Sequence, residues 1–415
     1  MTAGAGPAAT EFRRHWTVVF AAACGAAAGI TGMSFYSLSI LMGPLTDAFG
    51  WSRAEVSGAK TVLTAGFILT APFVGYVADR FGVRRIAMLS LGLLSLAMLW
   101  MTQVGPSLLS FYLSLLLLAI VGGATTPLVW TRAVASWFQQ SRGLAMALTL
   151  SGIGVIGVIT PPLQNALIQR FDWRAAYVCM AVFALLALIP IAIFFRENRG
   201  AAATVAAGAP AVGHDVLQPG FTVREALRSR AFWQLCVAFF LVGGSVSALM
   251  VHLVPLIIAE GLDRGTAAGI ASVMGIAVIF GRLLTGYLVD RLHPPYVAAL
   301  FLIVPVLGCL LLLGDHVTMA VVIVAVTCIG LAAGSEVDLV PFLTARYFGL
   351  RSYGKIYGWI FIAFYTGVGL GPPLLGRMFD RHGSYDLGLA YLIPVLALGV
   401  AVVATLGKSP SGRKT

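Results

Sequence analysis

The chain has 415 residues, of which 59% are hydrophobic and only 10% are charged, and its mean hydropathy is +0.93. Soluble globular domains are about half apolar and about a quarter charged, so this composition excludes a soluble fold and indicates a polytopic membrane protein. The formal net charge of +11 does not indicate nucleic-acid binding, because the basic residues are distributed over loops between apolar segments.

Twelve apolar stretches follow one another along the chain, separated by short polar breaks. Each has about 18 residues or more, which is long enough for a helix to cross a hydrocarbon core of roughly 30 Å. We therefore expect an all-α membrane protein with twelve transmembrane helices. The predicted spans are residues 16–41, 55–78, 86–102, 107–136, 144–168, 175–195, 232–258, 267–289, 296–313, 318–345, 356–378 and 387–406.

The basic residues predict the orientation of these spans. If the amino terminus is cytoplasmic, most of the 27 Lys and Arg residues fall in cytoplasmic loops and few fall outside. This asymmetry obeys the positive-inside rule, so both termini are predicted to be cytoplasmic. The membrane is predicted to be the plasma membrane, the inner membrane of a bacterium.

Two motifs recur at the same offset. "GYVADR" begins at Gly75 and "GYLVDR" at Gly286, and "PPL" begins at Pro161 and again at Pro372, so that each pair is separated by 211 residues. We expect two six-helix bundles, residues 1–195 and 231–415, joined by a cytoplasmic linker at 196–230. In that linker Thr222 and Glu225 form a capping-box pattern, which predicts a short surface helix before the seventh span.

Arg282 is the most informative residue within the predicted spans. It lies eight residues before Asp290, about 12 Å along a helix and thus near the middle of the core. An uncompensated arginine there costs about 2.5–3.5 kcal/mol, so it must meet a wet cavity or an anion. The equivalent position in the first repeat is Ala71, so the fold does not require a cation. A substrate carboxylate is one candidate partner, and an internal ion pair with Glu336 or Asp338 of the tenth span is the other.

Further side chains within the spans are candidate ligands. His252 in the seventh span could donate to an anion or carry a proton, although a lone histidine is more often a packing residue. Lys60 in the second span could line the outer vestibule as a second cation, or its stem could snorkel to the surface. Phe361, Phe364 and Tyr365 could supply rings for a small, even aromatic, monocarboxylate, although at least one of them must face elsewhere.

The stretch "GYVADRFGVRR", in the loop between the second and third spans, resembles the signature of the major facilitator superfamily. The resemblance covers essentially the whole chain and implies two six-helix bundles that alternate in exposing a central site. The second copy of this signature, which begins at Gly286, is degenerate. Asp79, Arg80, Asp290 and Arg291 are the predicted gating residues, whose carboxylates would pair with arginines or a helix amino terminus on the cytoplasmic side. Alternatively, these charges could serve only to set the membrane topology and the geometry of the loops.

Three further stretches resemble the monocarboxylate transporters and oxalate/formate antiporters. They are "SWFQQSRGLAMALTLSGIGVIG", "GRLLTGYLVDR" and "RYFGLRSYGKIYG". The resemblance implies that Arg282 binds the substrate carboxylate and that His252 assists. Animal members have an acidic residue one turn before the arginine, where this chain has Val278. They also have a lysine in the first helix, where this chain has Ser39 or a neighbouring residue. The oxalate exchanger has a lysine in the eleventh helix, which this chain lacks.

A Walker-type phosphate loop is missing from the sequence, so transport is predicted to be secondary. The leading hypothesis is symport of a small organic monocarboxylate with protons through Glu336, Asp338 or His252. The alternatives are an organic anion exchanger, an exporter of amphipathic or aromatic compounds, and a transporter-like receptor. No enzyme constellation, metal site, cofactor or nucleic-acid partner is expected, and the protein is expected to act as a monomer in the lipid bilayer.

Overall fold

The computed structural model describes residues 7–138, 142–196, 220–289, 291–313, 318–349 and 351–407, which are almost entirely helical. The helices are α1 (Pro7–Ala28), α2 (Ile30–Phe49), α3 (Arg53–Phe81), α4 (Val83–Met101), α5 (Leu108–Gly122), α6 (Pro127–Ala135), α7 (Arg142–Arg170), α8 (Arg174–Phe194), α9 (Val223–Arg228), α10 (Arg230–Val251), α11 (Leu253–Ala259), α12 (Arg264–Val289), α13 (Pro294–Leu312), α14 (Met319–Phe348), α15 (Tyr353–His382) and α16 (Asp386–Ala404).

The predicted fold class is confirmed. Among the described residues, ten helical segments are long and apolar enough to cross a membrane. The two other predicted spans are also helical: α1 and α2 together form the first, and α3 forms the second. The predicted capping box is present, because the Thr222 side chain accepts from the backbone of Glu225 and the Glu225 side chain accepts from that of Thr222 at the start of α9.

Three predicted spans are interrupted rather than continuous. The first breaks at Gly29, where a Cβ atom would lie 2.4 Å from the Thr125 carbonyl oxygen. The fourth contains a 3₁₀ turn at Gly123–Thr125 between α5 and α6. The seventh breaks at His252, three residues before Pro255, whose ring cannot donate the helical hydrogen bond. Hydropathy detects apolar length and does not register such breaks, so the apolar pattern of the sequence did not indicate them.

The helices form two compact units. The first comprises Met1–Ser37 and Leu69–Gly213, and the second comprises Leu38–Ile68 and His214–Thr415. In the first unit α1 packs on α7 and α8, and α4 packs on α5 and α8. In the second unit α10 packs on α15 and α16, and α12 and α13 both pack on α14. Residues 38–68 therefore group with the carboxy-terminal helices, while the predicted halves on either side of the linker remain a prediction.

Candidate functional site

Helices α12 and α14 approach each other through glycines. A Cβ atom on Gly281 would lie 2.3 Å from the Leu331 carbonyl oxygen, and one on Gly334 would lie 2.1 Å from the Val278 carbonyl oxygen. Small residues permit this backbone contact, which is the usual way that membrane helices pack closely. Thr285 Oγ1 also donates to Ser335 Oγ at 2.6 Å across the same contact. This packing fixes the rotation of α14 against the helix that carries Arg282.

Arg282 is buried, with 6% of its surface exposed, and it pairs with Asp338 of α14. The distance between Arg282 Nε and Asp338 Oδ2 is 3.4 Å, longer than the 2.7–2.9 Å of a good charge-assisted hydrogen bond. Among the described residues, neither Nε nor Nη1 of Arg282 donates a hydrogen bond. A buried guanidinium with unused donors is expensive unless an acceptor reaches it, so this arginine retains the capacity to bind a further carboxylate.

Lys60 and Glu336 are a second cation and carboxylate that are buried within electrostatic range of each other. Lys60 on α3 is 5% exposed and Glu336 on α14 is 1% exposed, and their charges interact. The alternative that Lys60 snorkels to the surface is therefore wrong, because its side chain is enclosed by protein in the second unit. Glu336 and Asp338 are two residues apart on one helix and so point in different directions. Each carboxylate consequently serves its own cation, and we call these four residues the Arg282 cluster.

Aromatic side chains on α15 form a ladder beside both carboxylates. Tyr353, Tyr357, Phe361 and Tyr365 follow one another at four-residue spacing, and the ring centroids of Phe361 and Tyr365 are 4.3 Å apart. Tyr357 lies within electrostatic range of Asp338, and Tyr365 lies within range of Glu336. The structure thus places Tyr365 near Glu336 of the Arg282 cluster, and Phe361 packs against Tyr365 in the same ladder.

Phe364 faces a different helix from these ligands. Its ring is 2% exposed and would meet a Cβ atom on Gly243 of α10 at 2.6 Å. It also packs edge-on against Phe239 of the same helix. Phe364 is thus a packing residue between α10 and α15, which fits the expectation that the three rings could not share a face.

His252 lies in a separate cluster with Tyr385 and Arg53. Its ring is fully buried, with Nδ1 at 2.9 Å from the Tyr385 hydroxyl and Nε2 at 2.9 Å from the Pro372 carbonyl oxygen. A carbonyl only accepts, so Nε2 carries the proton, and the Tyr385 hydroxyl donates to Nδ1 while it accepts from Arg53 Nη1 at 2.6 Å. Burial raises the pKa of Tyr385 to about 12, so the hydroxyl stays protonated. Both ring nitrogens of His252 are thereby engaged within the protein.

Asp380 completes this second cluster at the start of α3. Its Oδ1 accepts from the backbone N–H of Arg53 at 3.0 Å and its Oδ2 accepts from that of Ala54 at 2.9 Å. The Arg53 guanidinium also lies over the Phe379 ring, 3.5 Å from the centroid. A carboxylate at a helix amino terminus is favoured by the unpaired N–H groups and by the helix dipole. We call Arg53, His252, Asp380 and Tyr385 the Arg53 cluster.

Two consecutive prolines in α15 leave carbonyl groups for neighbouring helices. Pro372 and Pro373 have no N–H, so the carbonyls of Val368 and Gly369 receive no helical hydrogen bond from them. Ser247 Oγ of α10 donates to the Val368 carbonyl at 2.9 Å, and Thr61 Oγ1 of α3 donates to the Gly369 carbonyl at 2.5 Å. The "PPL" motif thus creates two acceptors that hold α10 and α3 against α15.

The predicted gating residues are only partly described. The Asp79 side chain and the whole of Asp290 lie outside the described residues. Arg80 is exposed and its Nη1 donates to the Tyr76 hydroxyl at 3.2 Å. Arg291 lies over the Tyr287 ring, 3.5 Å from the centroid. The gating assignment for these four residues therefore stays a prediction.

The sequence contained a signal for some residues that were missed. Tyr357 could have been found from the four-residue spacing of rings, and the α12–α14 contact from Gly330 and Gly334, which have the small-xxx-small pattern. Arg53, Asp380 and Tyr385 offered no such signal, because their contacts join positions more than 320 residues apart.

Comparisons with known proteins agree with this fold. The sequence profile of the Major Facilitator Superfamily matches residues 24–372. An uncharacterized MFS-type transporter, YhjX of Escherichia coli (strain K12), is 26% identical over 340 residues, which cover 81% of each chain. Monocarboxylate transporter 11 of Mus musculus is 27% identical over 384 residues, covering 89% of this chain and 83% of that one.

A second mammalian monocarboxylate transporter matches over a similar length. Monocarboxylate transporter 13 of Bos taurus is 28% identical over 374 residues, covering 89% of this chain and 84% of the relative. These relatives are distant, but the superfamily profile spans far more than half of the sequence. The protein is a multi-pass membrane protein that belongs to the major facilitator superfamily.

Proposed function

We propose that the protein is a secondary transporter that carries a small organic monocarboxylate together with a proton by alternating access. The observation that carries this proposal is the Arg282 guanidinium, which is buried in the membrane-spanning region with donors left over after pairing with Asp338. A carboxylate matches the fork of a guanidinium better than other small anions, because two parallel N–H groups meet two oxygens. The names of the mammalian relatives support the same class of substrate.

The charges of the Arg282 cluster account for the proposed coupling to protons. Arg282 and Lys60 are cations and Asp338 and Glu336 are anions, so the four charges cancel when all are ionised. A bound carboxylate would leave one negative charge in a region of low dielectric, which is unfavourable. One proton on Asp338 restores neutrality and also releases Arg282 to the substrate. Substrate and proton therefore bind together in this mechanism.

Asp338 is the proposed proton site because it is the more accessible of the two carboxylates. Its side chain is 30% exposed, whereas Glu336 is enclosed and interacts with Lys60. The position one turn before Arg282, which is acidic in animal monocarboxylate transporters, is Val278 here. We infer that Asp338 on α14 supplies the carboxylate that is absent at position 278 on α12. Tyr365 and Phe361 would then contact the organic part of the substrate, and Lys60 would act through its pair with Glu336.

His252 is assigned a structural part in this scheme. Its two ring nitrogens are bonded to Tyr385 and Pro372, so we do not place it on the substrate or on the proton pathway. The membrane is proposed to be the bacterial inner membrane, with both termini cytoplasmic, on the basis of the positive-inside asymmetry. The Asp79 and Asp290 loops are proposed as cytoplasmic latches on the basis of the superfamily signature.

The test is uptake of labelled carboxylates into proteoliposomes, with and without an imposed inward proton gradient. The panel contains aliphatic and aromatic monocarboxylates and matched dicarboxylates. We expect gradient-stimulated uptake of a monocarboxylate, abolished by a protonophore, and little uptake of dicarboxylates. Gradient-independent exchange alone would favour an anion exchanger. If no acid moves but amphipathic compounds do, the exporter hypothesis replaces this one.

A further inference from the structure

Helix α9 is held against the carboxy-terminal end of α14 by backbone and ring contacts. The Phe221 N–H donates to the Phe348 carbonyl at 2.8 Å, and Gly220 pairs with Gly349 in an antiparallel bridge. The rings of Phe221 and Phe348 pack edge to face, with their centroids 5.8 Å apart. The second unit therefore fixes the position of α9, although this helix has only six residues.

The chain changes direction between α9 and α10. Ser229 is extended, with φ −83° and ψ 139°, and its side chain accepts from the Phe232 N–H at 3.2 Å, so it ends α9 and caps α10. Helix α10 begins at Arg230 and is long and apolar enough to cross a membrane. The Trp233 indole N–H donates to the Leu227 carbonyl at 2.9 Å, which ties the two helices together. Helix α9 thus lies at the end of this span and does not continue it.

Three arginines at this junction have no partner within the part of the chain that the structure describes. Arg224, Arg228 and Arg230 are exposed, and they form no ion pair or hydrogen bond there. Arg224 and Arg228 are four residues apart, so they lie on one face of α9. The acidic residue beside them is Glu225, whose side chain accepts from the Thr222 N–H at 2.8 Å. The junction therefore presents three available guanidinium groups, and its carboxylate is already engaged.

Apolar side chains are exposed beside these guanidinium groups. Trp233 is 57% exposed and Leu227 is 37% exposed. Trp233 lies in the first turn of a membrane span, where indole rings of membrane proteins meet the headgroup region. The planar fork of a guanidinium matches the oxygens of a phosphate group. Phosphate-binding groups next to lipid-facing side chains fit a phospholipid better than they fit a soluble anion.

We propose that Arg224, Arg228 and Arg230 bind the headgroup of an acidic phospholipid, whose acyl chains lie against Leu227 and Trp233. We call these five residues the α9 lipid site. The proposal goes beyond transport and does not depend on the cargo or its coupling, because it needs only that α10 spans a bilayer. A bound lipid would anchor α9 at the membrane surface. Through the contacts of α9, it would also anchor the end of α14, which carries both carboxylates of the Arg282 cluster.

The test is binding of phosphatidylglycerol to the purified full chain in detergent, followed by titration and native mass spectrometry. Phosphatidylcholine with the same acyl chains is the neutral comparison lipid. We expect phosphatidylglycerol to bind about tenfold more tightly or better, because each arginine near an anionic headgroup strengthens the attraction severalfold. The triple variant Arg224→Gln, Arg228→Gln and Arg230→Gln should lose this preference. Equal affinity of wild type for the two lipids, or an unchanged preference in the triple variant, would overturn the site.

The matched control removes three other exposed arginines, as Arg13→Gln, Arg14→Gln and Arg85→Gln. These side chains also lie on the predicted cytoplasmic side, but they belong to the first unit. The control changes the net charge by the same amount as the triple variant, so it should keep the preference for phosphatidylglycerol to within about twofold. If the control loses the preference to the same extent, the lipid responds to net charge alone and the α9 lipid site is overturned.

Trp233→Ala distinguishes a lipid from a soluble anion. It keeps all three arginines and removes the ring proposed to contact the acyl chains, so the affinity for phosphatidylglycerol should fall about threefold or more. Inorganic phosphate at millimolar concentration should not displace the lipid from wild type. Displacement by phosphate, together with unchanged lipid affinity in Trp233→Ala, would identify a site for free anions and overturn the assignment to lipid. Thermal unfolding confirms that each variant is folded, as expected for changes to exposed side chains.

Discussion

Arg53 and Arg282 are both partly or fully buried arginines beside an aspartate in the second unit, and they differ in how their hydrogen-bonding capacity is used. The Arg53 guanidinium lies over the Phe379 and Tyr385 rings and donates to the Tyr385 hydroxyl, while the backbone N–H of Arg53 donates to Asp380. Arg282 lies 3.4 Å from Asp338 and, within the described residues, has two nitrogens that donate to nothing. The Arg53 guanidinium thus has a hydroxyl acceptor and aromatic rings beside it, whereas the Arg282 guanidinium keeps unused donors.

This difference supports our proposal that Arg282, rather than Arg53, binds the substrate. The Arg53 guanidinium already has an acceptor in the Tyr385 hydroxyl and lies over two aromatic rings, so it depends less on an added anion. An unsatisfied buried guanidinium carries a desolvation cost that a substrate carboxylate would remove. The same criterion favours a structural part for His252, for which the sequence left both a ligand role and a packing role open.

The largest expected effect concerns the Arg282–Asp338 pair, for which stability and transport can be measured separately. Asp338→Ala should lower the free energy of unfolding by about 3 kcal/mol, because it leaves a buried arginine without an anion. The double variant Arg282→Met and Asp338→Leu should recover most of that loss, since apolar groups replace the pair, yet show no uptake. Thermal unfolding in detergent and uptake in proteoliposomes measure the two properties. A double variant that transports normally would show that the pair is only structural.

Asp338→Asn should uncouple transport from protons. The amide mimics a protonated carboxyl group, so substrate still reaches Arg282 but binds without a proton. We expect gradient-driven uptake to fall tenfold or more, while exchange of labelled for unlabelled substrate continues. Glu336→Gln serves as the comparison, because it alters the pair with Lys60 and keeps the carboxylate beside Arg282. Intact proton-driven accumulation in Asp338→Asn would place the proton site elsewhere.

Tyr385→Phe should weaken the Arg53 cluster and spare substrate binding. The change removes one hydroxyl that both accepts from Arg53 and donates to His252, so the buried His252 Nδ1 and the partly buried Arg53 Nη1 lose this partner. The expected loss is about 1–3 kcal/mol in the free energy of unfolding. Substrate affinity, measured by ligand-induced thermal stabilisation, should change by less than about threefold. A much larger loss of affinity would place Tyr385 near the substrate.

The smallest expected effect is at the contact between α12 and α14. Thr285→Val removes the 2.6 Å hydrogen bond to Ser335, while Ser335 keeps its bond to the Leu331 carbonyl. We expect a loss of about 1 kcal/mol in the free energy of unfolding and nearly normal uptake. Gly334→Ala is the contrasting variant, because its methyl group would overlap the Val278 carbonyl and displace Arg282. Similar uptake in both variants would show that the rotation of α14 does not matter.

Much of the fold could be predicted from the sequence, because apolar length directly reports the spans of a membrane protein. All twelve predicted spans are helical, and the capping box at Thr222 forms as expected. The interruptions at Gly29 and His252 were missed because they depend on single residues within apolar stretches. Pro255 was present as a signal for the second of these breaks.

The candidate site was predicted only in part. Depth along a helix identified Arg282, but whether Glu336 or Asp338 is its partner depends on the rotation of α14, which the glycine contacts set. For Lys60 and Asp380, the partners are more than 270 residues away in the chain. Those pairings follow from helix packing across the second unit and leave no pattern in the local sequence.

The most direct test of the central claim is binding of the transported monocarboxylate to purified Arg282→Ala, compared with wild type and with Arg174→Ala. Arg174 is a suitable control because it pairs with Asp172 at 3.1 Å on a half-exposed surface. Ligand-induced thermal stabilisation would report binding without requiring transport. We predict that wild type and Arg174→Ala are stabilised to the same extent and that Arg282→Ala is not stabilised at all. Equal stabilisation of all three proteins would contradict the assignment of Arg282 as the carboxylate anchor.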